Sequence, residues 1–342
     1  MGMDMRKFKT VLAASIAVLC LVGITVGSVF IVYSNQPAGR TKAEITVTID
    51  PGMSLTQVAH LLAERKVIAN PTTFRLYTYL KGQQRGIQAG EYLLSPSQKP
   101  AQILQKLVRG ETVAHMVTIP EGYRILEIAE LLATAGLTNV NRFLKATEDP
   151  ELLKQLDIPT GSLEGYLFPD TYKFSRQTGE KEIVRTLVAN FKKRILQPRY
   201  VDRAKELGMS FHEVVTLASL IEKETGLEKE RPKIAAVFHN RLQRKMKLQT
   251  DPTVIYALTD FDGNIRKKDL SVDSPYNTYR YAGLPPGPIA SPGEDSIAAA
   301  LFPDESDALY FVSRQDGSHQ FSTNLEDHNR AVMKYQIKPA NG

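Results

Sequence analysis

From Val11 to Tyr33 the chain runs for 23 residues without a charged side chain. As a helix rising 1.5 Å per residue, that stretch is about 34 Å long, enough to cross a bilayer. Arg6, Lys7 and Lys9 precede it, and polar sequence containing Pro and Gly follows. A cleaved signal peptide is the competing reading. The run is too long for a typical signal core and no Ala-x-Ala site closes it, which favours an uncleaved signal anchor. The basic flank then stays inside, and everything after about residue 34 is expected outside the cytoplasm. The segments are a cytoplasmic tail (1–10), a span (11–33) and a polar linker (34–44). The one cysteine, Cys20, lies within the span, so no intramolecular disulfide can form.

The full length of 342 residues suits about two domains. With 42% hydrophobic and 23% charged residues, the rest can bury a real core. The net charge of +6 suits an acidic polymer or an anionic membrane surface. No basic run is interleaved with aromatics, so nucleic acid is not an expected partner.

After the linker comes an internal repeat. Val47-Thr48-Ile49-Asp50-Pro51-Gly52 is echoed by Val117-Thr118-Ile119-Pro120-Glu121-Gly122, and Ala59, Leu61, Leu62 and Ala63 by Ala129, Leu131, Leu132 and Ala133. Each copy predicts a short strand, a Gly turn and an amphipathic helix. The first continues through a helical stretch, Thr72 to Leu80, and a strand, Gly90 to Leu94, giving a small β-α-α-β module. Ala101 to Val108 reads as a further short helix. The region 45–160 could bind a polymer or serve as a packing spacer.

Ser210 to Gly226 predicts a helix with both ends marked. Ser210 and Glu213 have capping-box spacing, and Gly226 suits a left-handed residue beyond the helix end. Leu217, Leu220 and Ile221 share a face with Glu224. Glu222 is turned roughly 200° from Glu224, so the two glutamates should have different surroundings. A carboxyl group against apolar neighbours keeps its proton to higher pH, as general acid catalysis at a glycosidic oxygen requires. The alternative is a solvated last turn.

Leu163 to Tyr172 is aromatic and turn-rich, which fits either a sugar-binding cleft or a packed loop. Glu182 to Leu196 predicts an amphipathic helix closed by Pro198, and Pro232 opens another. The Pro- and Gly-rich stretch from Tyr276 to Gly293 fixes a loop path, Ser296 to Leu301 reads as a short helix, and a hairpin is expected around Asp316-Gly317. No zinc, nucleotide or serine-hydrolase motif is present, and His212, His239, His319 and His328 lack ligand spacing, so neither a metal site nor a cofactor is expected. The chemistry falls to carboxylates, hydroxyls and amides. A two-carboxylate glycosidase would need a second acid, for which Asp251 and Asp170 are the candidates.

Five ordered motifs carry a resemblance. They are Ala218 to Thr225, Asn240-Arg241-Leu242, Leu248 to Tyr256, Tyr276-Asn277-Thr278-Tyr279, and Gly283-Leu284-Pro285-Pro286-Gly287. Together with Leu163 to Tyr172, they resemble the endolytic murein transglycosylase (YceG-like) family over nearly the whole chain. The resemblance implies an α+β architecture. A single-pass inner-membrane helix, with the N-terminus cytoplasmic, would precede LysM-like β-α-α-β modules. A mixed α+β catalytic domain (161–342) would carry the catalytic Glu on a central helix. It implies cleavage of the MurNAc-GlcNAc bond within nascent peptidoglycan strands, leaving 1,6-anhydro-MurNAc ends, limiting strand length and working beside cell-wall synthases. The second Glu of Glu222-Lys223-Glu224 would be catalytic, which makes Glu224 the acid and then the base. Glu222, Gln249, Asp251, Tyr256, Asn277 and Tyr279 are the candidates for holding the sugars; for each, a loop-stabilising role is the alternative. The rivals are a two-carboxylate hydrolase and a non-catalytic peptidoglycan-binding scaffold.

Overall fold

The computed structural model describes residues 5–158 and 161–337. The side chains of Arg6 and Lys7, on which the expected topology leans, lie outside the described residues. Helix α1 (Met5–Asn35) opens the chain. Its stretch Leu12–Asn35 has a mean hydropathy of 2.6 and none of it is buried, so it is long and apolar enough to cross a membrane.

Residues up to His115, with Ser175–Gln177, form one compact unit. After α1 it contains β1 (Ile45–Ile49), α2 (Leu55–Glu64), α3 (Pro71–Leu80), β2 (Gly90–Leu94) and α4 (Pro100–Arg109). β1 and β2 pair antiparallel, with Ile45 opposite Leu94 and Ile49 opposite Gly90. Period-2 alternation turns Val47 and Ile49 inward, onto Val58, Leu62, Phe74 and Leu107. Local chemistry sets the helix starts. Ser54 and Gln57 form a reciprocal capping box at α2, and the Asn70 side chain accepts from Thr73 N at α3.

The second compact unit runs from Met116. β3 (His115–Thr118) leads into it and pairs with β4 (Thr171–Phe174), and α5 (Ile125–Thr134), α6 (Val140–Thr147) and α7 (Pro150–Gln155) lie between them. Both repeat copies thus form strand, turn and helix, with Gly52 and Gly122 left-handed at the turns (φ 85° and 74°). The second copy's Val117, Ile128 and Leu132 share a core with Ile183, Leu187 and Val188 of α8 (Glu180–Ile195).

A second core in this unit surrounds α10 (Phe211–Glu224). Every residue from Val214 to Ile221 is buried, so the helix is enclosed all round rather than along one stripe. Each fully buried Val, Leu or Ile there contributes about 1.5–3 kcal/mol. α9 (Pro198–Glu206), α11 (Arg231–Gln243), α12 (Asp251–Ala257) and α13 (Glu294–Leu301) complete the helical part, followed by the hairpin β5 (Tyr310–Ser313) and β6 (His319–Ser322). α14 (Leu325–Val332) runs on into a π-helical turn, Met333–Ile337.

One expectation changes, a second is extended, and of two alternatives at a third place one is found. The Ser210–Glu213 capping box forms, but α10 ends on an extended Thr225 (φ −146°), and Gly226 is not left-handed. Thr225 Oγ1 accepts from Leu227 N and turns the chain in place of a glycine cap. Pro198 closes α8 but also opens α9, where its missing N–H costs nothing. The aromatic stretch from Leu163 is a packed loop, with Leu163, Tyr166, Leu167 and Phe168 all buried.

Candidate active site

Glu224 is the last residue of α10, and the geometry of its carboxyl follows from that position. The enclosed helix carries it out of the core to the wall of a cavity of about 540 Å³. Gln249, Asp251, Arg241, Tyr279 and Tyr310 line the same cavity. Burial pushes the Glu224 carboxyl up to about 7; a hydrogen bond from Thr250 opposes the shift, the neighbouring Asp251 adds to it, and Arg241 also opposes it.

Thr250 Oγ1 donates to Glu224 Oε1. A knot of hydroxyls fixes Thr250 itself. Its amide donates to Thr278 Oγ1 at 3.0 Å, its carbonyl accepts from Thr253 Oγ1 at 2.8 Å, and Thr253 and Thr278 share a bond of 2.8 Å. All three threonines are buried. Left-handed Gln249 (φ 48°) turns the chain into this knot and leaves its own side chain exposed on the cavity wall. Asp251 begins α12, and Tyr279 Oη donates to its Oδ1 at 2.6 Å. Burial first, and then that bond to Asp251, push the Tyr279 phenol upward.

Arg241 ties the cavity walls together. Its Nε donates to Leu309 O at 2.6 Å and its Nη1 to Leu248 O at 2.7 Å, while the guanidinium lies 5.2 Å from the Tyr310 ring centre. One planar group thus joins the segment before Thr250 to the C-terminal hairpin.

Glu222 faces elsewhere. Its Oε1 pairs with Arg231 at 3.3 Å, and its Oε2 accepts from Gly293 N at 2.9 Å. Arg231 is buried and also meets Glu121 at 3.3 Å and Asp295 at 3.5 Å. The 200° between the two glutamates therefore separates a buried Glu222–Arg231 pair, rimmed by the exposed Glu121 and Asp295, from the cavity wall.

The YceG-like family model matches residues 47–334. The chain belongs to the YceG-like family. It is 37% identical over 311 residues to the endolytic murein transglycosylase of Bacillus subtilis (strain 168), covering 86% of each chain. It is 32% identical over 329 residues to the endolytic murein transglycosylase of Streptococcus pneumoniae (serotype 2, strain D39), covering 86% of this chain and 59% of that relative. The crystal structure of a yceG-like protein from Listeria monocytogenes superposes with a TM-score of 0.59 at 38% identity, over 85% of this chain and 99% of that one.

In this YceG-like chain, Glu224, Gln249, Asp251 and Tyr279 come together on one cavity, whereas Glu222, Tyr256, Asn277 and Asp170 do not line it. Tyr256 turns away from the cavity and donates to Glu164 Oε2 at 3.4 Å. Asn277 is fully buried; its Nδ2 donates to the carbonyls of Leu270 and Val272, and its Oδ1 accepts from Tyr279 N. Both ends of its amide are thus spent on holding the loop that presents Tyr279. Asp170 is bound by Asn190 Nδ2 at 3.0 Å, beside α8, and does not line the cavity. Thr250 and Arg241 were not singled out from the sequence. Both stand inside quoted motifs; for Arg241 the available signal is its spacing of three, four and seven residues from Phe238, Val237 and Ile234, which puts it on an apolar helix face. Among the described residues, no group of three or more His, Cys, Asp or Glu side chains is placed to hold a metal ion.

Proposed function

We propose that this protein is a membrane-anchored endolytic murein transglycosylase in which Glu224 is first general acid and then general base. The observation that carries the reading is a carboxyl group held near pKa 7 at the wall of a cavity large enough for sugar rings. Thr250 occupies Oε1, which leaves Oε2 to carry the proton. That proton passes to the glycosidic oxygen as the bond from C1 of the muramyl residue breaks. The muramyl 6-hydroxyl then attacks C1, and the ionised Glu224 takes its proton, so the 1,6-anhydro ring closes with the enzyme restored. No water is consumed. Gln249, Asp251 and Tyr279 hold the flanking sugars, and Glu222 keeps the end of α10 in place through Arg231.

In the same reading, α1 is a single-pass inner-membrane helix with the N-terminus cytoplasmic, in keeping with the basic residues before it. The β1-α2-α3-β2 module is LysM-like and binds glycan. The active site lies on the outer side, where synthases extrude new strands.

One observation favours a second reading: Asp251 lines the same cavity, so a hydrolase using both acids would be possible. Mass spectrometry of the sugar ends decides between them, with the protein and its Glu224→Gln variant each given uncrosslinked glycan strands. Anhydro ends that vanish in the variant are expected. Reducing ends would establish the hydrolase, and turnover retained by the variant would remove Glu224 from the chemistry.

A further inference from the structure

The first compact unit places an apolar helix face beside the membrane helix. α3 packs against the last turns of α1: the ring centres of Tyr77 and Phe30 are 4.9 Å apart, and those of Tyr77 and Tyr33 are 6.1 Å apart. Lys81 Nζ lies 5.4 Å from the Phe30 ring. The linker does not swing free. Gly39 N donates to Pro96 O at 2.9 Å, Ser95 Oγ donates to Thr41 O at 2.9 Å, and Lys99 Nζ reaches Asn35 Oδ1 at 3.3 Å. The module is therefore strapped to the end of α1.

The flank of α3 that borders this contact is unusual. Leu76, Tyr79 and Leu80 are 53%, 56% and 53% exposed, and at spacings of three and four they share one face. Between residues 36 and 115, the only other exposed large apolar side chain is Leu93, at 37%. Between α3 and α1 lies an apolar slot of about 140 Å³, lined by Val26, Val29, Phe30, Leu76, Tyr77 and Leu80.

Depth decides what covers this face. Hydrocarbon about 30 Å thick takes roughly 20 helical residues. Counted from just beyond Lys9, the last charge before the run, it ends near Val29. Val26 and Val29 therefore lie in the outermost turn of hydrocarbon, and the residues of α3 that line a slot with them lie at the same level. Tilting α1 carries them deeper. Phe30, Tyr33 and Tyr77 then sit at headgroup level, where aromatic rings are favoured, and Lys81 reaches up from its apolar stem.

We infer that α3 is a membrane-interface helix, with Leu76, Tyr79 and Leu80 immersed in the outer edge of the acyl region of the bilayer. The inference rests on α1 spanning the membrane, as proposed above. The module is then a foot standing in the lipid, not a bead on a tether.

The chain contains no tryptophan, so a single introduced indole reports its own surroundings. Leu19→Trp, Leu76→Trp, Leu80→Trp and Leu93→Trp are each made in the full chain, at positions exposed enough to take the larger ring, and circular dichroism checks that each variant keeps its fold. Each is reconstituted into liposomes containing lipids brominated along the acyl chain. Emission from positions 76 and 80 is expected to shift to the blue and to be quenched by lipids brominated near the headgroup. Position 19 should be quenched by deep bromines, and position 93 by aqueous iodide. Water-like emission at 76 and 80, with 19 in lipid, overturns this inference alone. Water-like emission at 19 overturns the membrane-spanning reading beneath it. Lipid quenching at 93 as strong as at 76 and 80 would mean general adsorption and would overturn the assignment to α3.

Discussion

Glu224 and Glu164 are both carboxyls that burial pushes up to about 7, yet they differ in setting and in the role proposed for each. Glu224 faces a cavity. Glu164 is 8% exposed and is held by Ile125 N at 3.1 Å and by Tyr256 Oη. A general acid must be protonated, so cleavage is expected to be full below pH 7 and to fall about tenfold per unit above it. The bond from Thr250 favours ionised Glu224, so Thr250→Val should move that alkaline limb to higher pH; a kcat/KM profile that stays in place refutes the role given to Thr250. For Glu164 the expected effect is on stability. Its raised pKa means that the folded state is favoured below the unfolded value of about 4.5 and loses that advantage as pH rises through 7. Glu164→Gln removes the penalty. Relative to wild type, it should gain about 3 kcal/mol between pH 4.5 and 8, read by denaturant unfolding at several pH values. At this scale, Glu224 was legible in the sequence because a carboxylate among Leu217, Leu220 and Ile221 is out of place. Thr250 was not legible, because a threonine that bonds another side chain across the chain has no local signature.

At the scale of elements, what the sequence made visible was local. The repeat, the capping box of α10, α8 and the hairpin at Asp316-Gly317 each follow from periodicity or turn chemistry. α12 did not, because its seven residues are too few to show a period, and its Pro252 looks like loop composition until the first-turn position is known. The shared core of the second repeat and α8 was equally hidden, since nothing in either stretch names the other. The loop beginning at Leu163 supplies a test. Gly165 is left-handed (φ 84°), and a Cβ there would meet the Pro288 ring at 2.5 Å and Val215 of α10 at 3.1 Å. The proline ring cannot swing aside. Gly165→Ala should destabilise by about 2–4 kcal/mol and lower Tm by several degrees; an unchanged Tm would show that the loop gives way.

For the whole molecule, α1 is the one helix among the described residues long and apolar enough to cross a membrane. A chain beginning after residue 34 is expected to stay in solution without detergent and to sediment partly with vesicles through Leu76, Tyr79 and Leu80. Persistent detergent dependence in gel filtration would count against that division. The arrangement of strands has a further consequence. Among the described residues, six strands pair as three ribbons of two, β1 with β2, β3 with β4 and β5 with β6, and none is longer than five residues. No hydrogen-bonded ladder runs from one ribbon to the next, so chain inserted between ribbons breaks no register, and its entropic cost grows only slowly with length. Such a fold can lengthen within a lineage while its ribbons stay intact, and the pneumococcal relative, of which this chain spans 59%, is a longer member.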